Sequence, residues 1–164
     1  MSGVKLDVIW SPVHHEKFFI WGPDITLYEV SSIQEIEKKT TFVPISSTLG
    51  ATVIASQSAN GVRCVDISAI PEQPEPLLAL GYANGRVALS SLKQNYDPLG
   101  LVGREFDGVS VMQTSTESAR PLAEMGLSET AHSVSWSNCS NRTLIASMNL
   151  KFIKIFDLRG KNFS

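Results

Sequence analysis

The sequence predicts an all-β fold built from repeated groups of short antiparallel strands. Three observations carry that prediction. The first is the stretch Leu77 to Leu92, LLALGYANGRVALSSL, where two apolar runs, Leu77-Leu78-Ala79-Leu80 and Val87-Ala88-Leu89, flank the dipeptide Asn84-Gly85. Asn-Gly is the strongest short hairpin signal, because a type I′ turn needs positive φ at both central residues. The second is that the order strand, polar loop, strand, turn, strand can be laid over two other places in the chain. The third is how the opening strand of each group ends: Val8-Ile9-Trp10-Ser11, Val65-Asp66-Ile67-Ser68 and Val134-Ser135-Trp136-Ser137.

The elements follow in order. Val4 to Trp10 alternates Val4, Leu6, Val8 and Trp10 with Lys5, Asp7 and Ile9, the period of a half-buried strand. Ser11-Pro12 stops it, since proline cannot donate to a ladder. His14 to Lys17 is a polar loop, Phe18 to Trp21 a second strand, Gly22-Pro23-Asp24 a turn, and Ile25 to Val30 a third strand. Ser31 to Ala51 reads as a long connection, with two helical turns at 33–39 and strand composition at 40–45; Ala51 to Ala55 also has strand composition. The second group holds Val62 to Ile67, the proline-rich loop Ser68 to Pro76, the hairpin, a polar loop from Lys93 to Gly100, and Leu101 to Phe106 as a fourth strand. Asp107 to Glu129 is rich in Ser, Thr and Glu, with one short strand around Leu122 to Met125. A structureless link of that length is unusual inside a compact domain. The third group is Ser133 to Trp136, a polar loop, Thr143 to Met148, a turn at Asn149-Leu150-Lys151, and Phe152 to Leu158. A short polar tail follows Arg159.

Units of four short antiparallel strands recurring every ~40–45 residues are the signature of a WD-type β-propeller. The third group ends Ile155-Phe156-Asp157, an aromatic and an aspartate where that repeat writes Trp-Asp. The expected architecture is an incomplete propeller over residues 1–160, about three blades and not closed. The blades are placed near 4–55, 62–106 and 120–160, with 107–131 an irregular connection. The structural repeat positions are Trp10, Ile67, Trp136, Asn84, Gly85, Phe156 and Asp157. A β-sandwich is the competing all-β reading, but it has no need of the repeated strand ending. Trp10 and Trp136, at one repeat position, are expected in the core. Asp157 is expected to support a turn, with Arg159 as its pair or as a rim contact. An open propeller leaves strand edges unpaired, so runs such as Lys151 to Phe156 and Phe18 to Trp21 invite association unless covered. The chain alone is therefore expected to be marginal or completed by a partner.

Composition excludes several functions. The chain has 164 residues, 43% hydrophobic, with a formal net charge of −2, so neither a basic field for nucleic acid nor an acidic tail is present. Cys64 and Cys139 are too few for a disulfide framework or a four-ligand zinc site, and both are read as buried thiols. No basic region followed by a long apolar stretch opens the chain, and no run approaches the ~18 apolar residues of a membrane span. A cytosolic chain is expected, which makes the glycosylation patterns at Asn138, Asn141 and Asn162 coincidental. His14-His15-Glu16 is the one cluster that suggests a metal, but adjacent histidines on an extended segment point to opposite sides. There is no phosphate loop ending in Gly-Lys-Ser/Thr and no Gly-x-Ser-x-Gly elbow, and Ser46-Ser47 and Ser90-Ser91 have no evident base. A small enzyme on a β scaffold would need a constellation that is not visible. No catalytic, cofactor-binding or metal residues are assigned, no cofactor is expected, and neither nucleic acid nor a small-molecule substrate is expected as a partner.

The stretches LLALGYANGRVALSSL, GREF, RPLAEMG and SVSWS…LIASMNLKFIKIFDLRG, with the opening MSGVKLDVIWSP and the ITLYEV strand, resemble the N-terminal propeller of the Mio (missing oocyte) family of WD-repeat proteins. The resemblance covers Ser2 to Gly160. It implies a non-catalytic scaffold subunit of the GATOR complex, which regulates the TOR kinase pathway in response to amino acids. Its partners would be the other subunits of that complex. Its place would be cytoplasmic, peripheral at the lysosomal membrane through those partners, without membrane insertion. Relative to the family pattern, a full blade is expected between Gly103 to Phe106 and Arg120 to Gly126, where this chain has only Asp107 to Ala119. The later blades, helical repeats and zinc domain of the family are also missing from it, as in a shortened isoform or fragment. A WD-repeat subunit of another coat or scaffold assembly is the alternative. Hairpin tips project from blades, so Tyr82, Asn84 and Arg86 are the candidate partner contacts.

Overall fold

The computed structural model describes residues 6–30, 50–68, 76–92, 97, 99–111, 121–137, 142–148 and 152–159. The chain divides into two compact units, Met1–Asn60 and Gly61–Ser164. The first unit holds one antiparallel sheet, formed in chain order by β1 (Asp7–Trp10), β2 (Lys17–Trp21), β3 (Asp24–Val30) and β4 (Ala51–Ser58). The second unit holds two. One contains β5 (Val62–Ile67), β6 (Leu78–Tyr82), β7 (Arg86–Ser90), β8 (Val109–Val111) and β9 (Ala123–Gly126), in the order β5-β6-β7-β9-β8. The other is β10 (Ala131–Trp136), β11 (Thr143–Met148) and β12 (Ile153–Asp157). Among the described residues there is no helix, and no sheet closes on itself. The chain is all-β, an incomplete β-propeller of three blades.

The three sheets share one register. Trp10 pairs with Phe18, Ile67 with Leu78, and Trp136 with Leu144. The next residue is serine each time, and its N–H bonds across the loop: Ser11 to the Lys17 carbonyl, Ser68 to Leu77 and Ser137 to Thr143, each at 2.9 Å. The third strands match as well, since Phe18 pairs with Tyr28, Leu78 with Ser90 and Leu144 with Phe156. The repeated ending therefore marks one structural position. Proline and polar residues stop the first strand, and the serine amide starts the turn back.

Alternation along a strand gives each sheet two faces. We call the face carrying Phe19, Ala79 and Ile145 the front and the face carrying Phe18, Leu78 and Leu144 the back. In the second unit, the front of the second sheet (Ala79, Val87, Leu89, Ala123, Met125) and the back of the third (Val134, Trp136, Leu144, Ala146, Phe156) share one buried cluster. Among the described residues, hydrogen bonds join these sheets. The Trp136 N–H donates to Asp66 Oδ2 at 2.6 Å, the Cys64 thiol to the Ala131 carbonyl at 3.5 Å, and Lys154 Nζ to the Gly126 carbonyl at 3.1 Å. At Gly81 an added Cβ would lie 2.4 Å from Cys64 Sγ and 2.9 Å from the Ala131 Cβ, so the missing side chain lets β6 and β10 approach.

Four expectations are corrected. Leu101 to Phe106 is not a strand. The Asp97 carboxylate accepts the N–H groups of Leu101 and Val102 at 2.9 Å each, Gly100, Gly103 and Gly108 take positive φ, and only Phe106 makes an isolated bridge, to Val109. Among the described residues of the 107–131 connection lie two strands, β8 and β9. Ala123–Gly126 completes the second sheet rather than opening the third, because it pairs with β7 through Leu89↔Ala123 and Val87↔Met125; the boundary between these sheets falls after Gly126. Trp10, expected in the core, is 54% exposed, whereas Trp136 at the same register is 6% exposed. Trp136 is covered by the front of the second sheet, while Trp10 packs on Phe18 (4.9 Å between centroids), which stacks on Tyr28 (5.2 Å), along an open back face. The expected helix at 33–39, the strand at 40–45, Cys139, the turn at 149–151 and the tail beyond 159 lie outside the described residues.

A candidate interaction surface at the hairpin tip

Strands β6 and β7 carry the tip. The Gly85 N–H donates to the Tyr82 carbonyl at 3.1 Å, so the turn runs from Tyr82 to Gly85 with Ala83 and Asn84 at its centre. Gly85, with φ +88°, then returns the chain to β7. This is the three-residue loop that ends in a left-handed glycine, not the expected two-residue type I′ turn centred on Asn84-Gly85. The Asn84 side chain holds the loop by accepting the Arg86 N–H at 3.0 Å. Gly85 is also required by close packing: an added Cβ would lie 2.6 Å from both the Leu127 and Glu129 carbonyl oxygens. The Gly85 carbonyl accepts the Leu127 N–H at 2.7 Å, and the Thr130 hydroxyl donates to the Ala83 carbonyl at 2.7 Å. The tip is tied to the segment that links β9 to β10.

Register places a charged cluster beside it. Arg86 lies over the Tyr82 ring, 4.7 Å from its centroid, and forms an ion pair with Glu124 on β9. Burial pushes the Tyr82 hydroxyl above its ordinary value, with the Arg86 charge opposing and the Glu124 charge adding. An open groove of about 380 Å³ runs past Arg86 and Glu124, lined by Asn84, Gly85, Arg86, Ser110, Glu124 and Leu127 among others. It offers a cation, a carboxylate and a hydroxyl on a rigid strand frame, a set suited to holding polar side chains of another protein. Tyr82, Asn84 and Arg86, named from the sequence as partner contacts, are thus adjacent. The turn does not point to Glu124; its signal is a lone carboxylate among the apolar residues Leu122, Ala123 and Met125.

Of the repeat positions, Asn84 and Gly85 lie in this tip and the others fall elsewhere. Phe156 is buried in the cluster between the second and third sheets. Asp157 supports a turn: its carboxylate accepts the Arg159 backbone N–H at 3.0 Å and the guanidinium at 2.7 to 3.1 Å. Those side-chain bonds, followed by the backbone bond, hold the Asp157 carboxyl down at about 2. Asp66 bridges β5 to β10 without any motif that marks it. Its signal is a carboxylate inside the apolar strand Val62 to Ile67, where a partner is required. Burial pushes the Cys64 thiol up to about 11, consistent with an inert packed group. In the loop after β1, the Ser11 hydroxyl accepts the His14 N–H at 3.0 Å. Among the described residues, no group of three or more His, Cys, Asp or Glu is placed to hold a metal ion.

Comparison with known proteins decides the family. The GATOR2 complex protein MIOS of Danio rerio is 34% identical over 125 residues, covering 74% of this chain and 14% of that protein. MIOS-A of Xenopus laevis is 35% identical over 127 residues, with the same coverage. The chain belongs to the Mio family. The Mio protein of Drosophila melanogaster is 29% identical over 190 residues that take in 99% of this chain and 21% of that protein. That span exceeds the length of this chain, so the fly protein carries extra residues within it. The chain spans only about a seventh to a fifth of the length of these Mio-family relatives. No family model matches it.

Proposed function

We propose that this chain is a non-catalytic scaffold subunit of a GATOR2-type assembly, presenting propeller surfaces to other protein subunits. The observation that carries this reading is its similarity to three relatives named as GATOR2 complex proteins. The groove at the β6–β7 tip supplies a surface of suitable chemistry, an arginine held between an aromatic ring and a carboxylate. The assembly acts in amino-acid-dependent regulation of the TOR kinase pathway, and the chain reaches the cytoplasmic face of the lysosome through its partners rather than by insertion. The repeat is of the WD type, with Phe156-Asp157 in place of Trp-Asp.

The test is affinity capture of the tagged chain from cells that express the GATOR2 subunits. Capture of those subunits, weakened by Arg86→Ala and by Tyr82→Ala in folded protein, is the expected result. A chain that captures none of them, at matched expression, overturns the reading.

A further inference from the structure

Around the hairpin tip, the fold explains every glycine but one. Gly85 takes a positive φ against two carbonyl oxygens, and Gly108 turns the chain at φ +70°. Gly126 ends β9 without a left-handed φ, and an added Cβ there would meet nothing within 4 Å among the described residues. A strand glycine gives up more backbone freedom on folding than any other residue and packs no side chain. Where neither a turn nor a neighbour requires it, its use is to let a ligand or another backbone come close.

Gly126 lines the groove at the tip. It pairs with Arg86, so the two share a row on the back of the second sheet, and Ser110 and Glu124 pair in the next row. Its carbonyl is held by Lys154 Nζ at 3.1 Å. The ion pair joins Arg86 Nη2 to Glu124 Oε1. Among the described residues, the other terminal nitrogen of the guanidinium and the second carboxylate oxygen have no hydrogen-bond partner. The bare backbone at Gly126 thus floors a slot whose wall offers a donor and an acceptor side by side.

We propose that this slot holds the main chain of an extended segment from another protein subunit, a peptide carbonyl accepting from Arg86 and a peptide N–H donating to Glu124. The inference rests on reading the chain as an assembly subunit and specifies how the tip is used. The chemistry favours a neutral peptide over an ion. Arg86 and Glu124 neutralise each other, so an anion in the slot would face the carboxylate and a cation the guanidinium. A peptide unit is neutral and carries both an acceptor and a donor. Main-chain bonds of this kind supply affinity with little demand on sequence.

Affinity capture of GATOR2 subunits by the tagged chain, set beside urea unfolding of the same variants, tests the slot. Gly126→Val fills it with a side chain that strands favour and no described neighbour opposes. Capture should fall about tenfold or more, while the urea midpoint stays level or rises. Ser110→Tyr, which intrudes from the next row, repeats the comparison should Gly126→Val fail to fold by circular dichroism. A benzophenone crosslink from Ser110→Cys, in a Cys139→Ser background, marks the bound segment. Proline within that segment should abolish capture, and single alanines should not. Undiminished capture by Gly126→Val overturns the proposal, as does a lowered midpoint, which would mark a glycine needed by the fold, or a marked segment sensitive to alanine but not to proline. An unaltered chain that captures no GATOR2 subunit overturns the subunit reading and the slot with it.

Discussion

Removing the Asp66 carboxylate tests how the second and third sheets are joined. Its Oδ2 accepts the Trp136 N–H at 2.6 Å, linking β5 to β10 at the repeated strand ending. Asp66→Ala deletes the acceptor and leaves that N–H in a partly buried place without its partner. A hydrogen bond to a charged group contributes about 1.5–3 kcal/mol, and stranding its partner costs about 1–3 kcal/mol. A loss of about 2 kcal/mol is therefore expected, which for a chain of this size lowers Tm by roughly 4–8 °C. Asp66→Asn keeps an acceptor oxygen without the charge and should recover about half of it. Urea unfolding followed by tryptophan fluorescence reads both variants, with the slope checked for constancy. If Asp66→Ala shifts stability by less than about 0.5 kcal/mol, within the scatter of ordinary surface changes, the bridge between the inner strands is wrong.

Three further outcomes follow from the same geometry. Gly85→Ala places a Cβ against two carbonyl oxygens in a left-handed conformation that alone costs about 1–2 kcal/mol, so a urea midpoint equal to that of the unaltered chain would contradict the turn described. The Asp157 carboxyl sits at about 2 against an ordinary 3.8, so its contribution is full above pH 4 and fades as pH falls toward 2; an acid unfolding profile in Asp157→Asn that matches the parent chain would remove that contribution. Burial raises Cys64 to about 11, so in a Cys139→Ser background its thiol should react with a disulfide reagent at pH 8 many times more slowly folded than in urea, and equal rates would show it exposed.

Most of the strand pattern is legible in the sequence because each strand has alternation or an apolar run, and each turn has Gly, Pro or Asn. Thr143–Met148 is legible to the residue, and the ending at Trp10, Ile67 and Trp136 marks the register of all three sheets. What escapes is what depends on a distant partner. Leu101 and Phe106 have strand composition, but the Asp97 carboxylate takes the backbone donors that a ladder would use. Ala123 and Met125 sit nearest in sequence to β10, yet their small and flexible side chains fit beside β7. The first sheet holds the signal for that arrangement, since β4 also returns after a long connection to pair with the third strand of its group. Trp10 and Trp136 cannot be told apart by pattern, because burial is decided by the face packed against them. In the candidate site, the turn alone nominates Tyr82, Asn84 and Arg86, whereas Glu124 enters only through the β7–β9 pairing.

The equivalence of the three strand endings is tested most directly by residue-resolved amide hydrogen exchange at Ser11, Ser68 and Ser137. Each lies just past a strand and donates to a backbone carbonyl across its loop at the same 2.9 Å, so all three amides should exchange far more slowly than unprotected loop amides. Free exchange at any one of them, with the neighbouring strand protected, would show that this group does not repeat the other two.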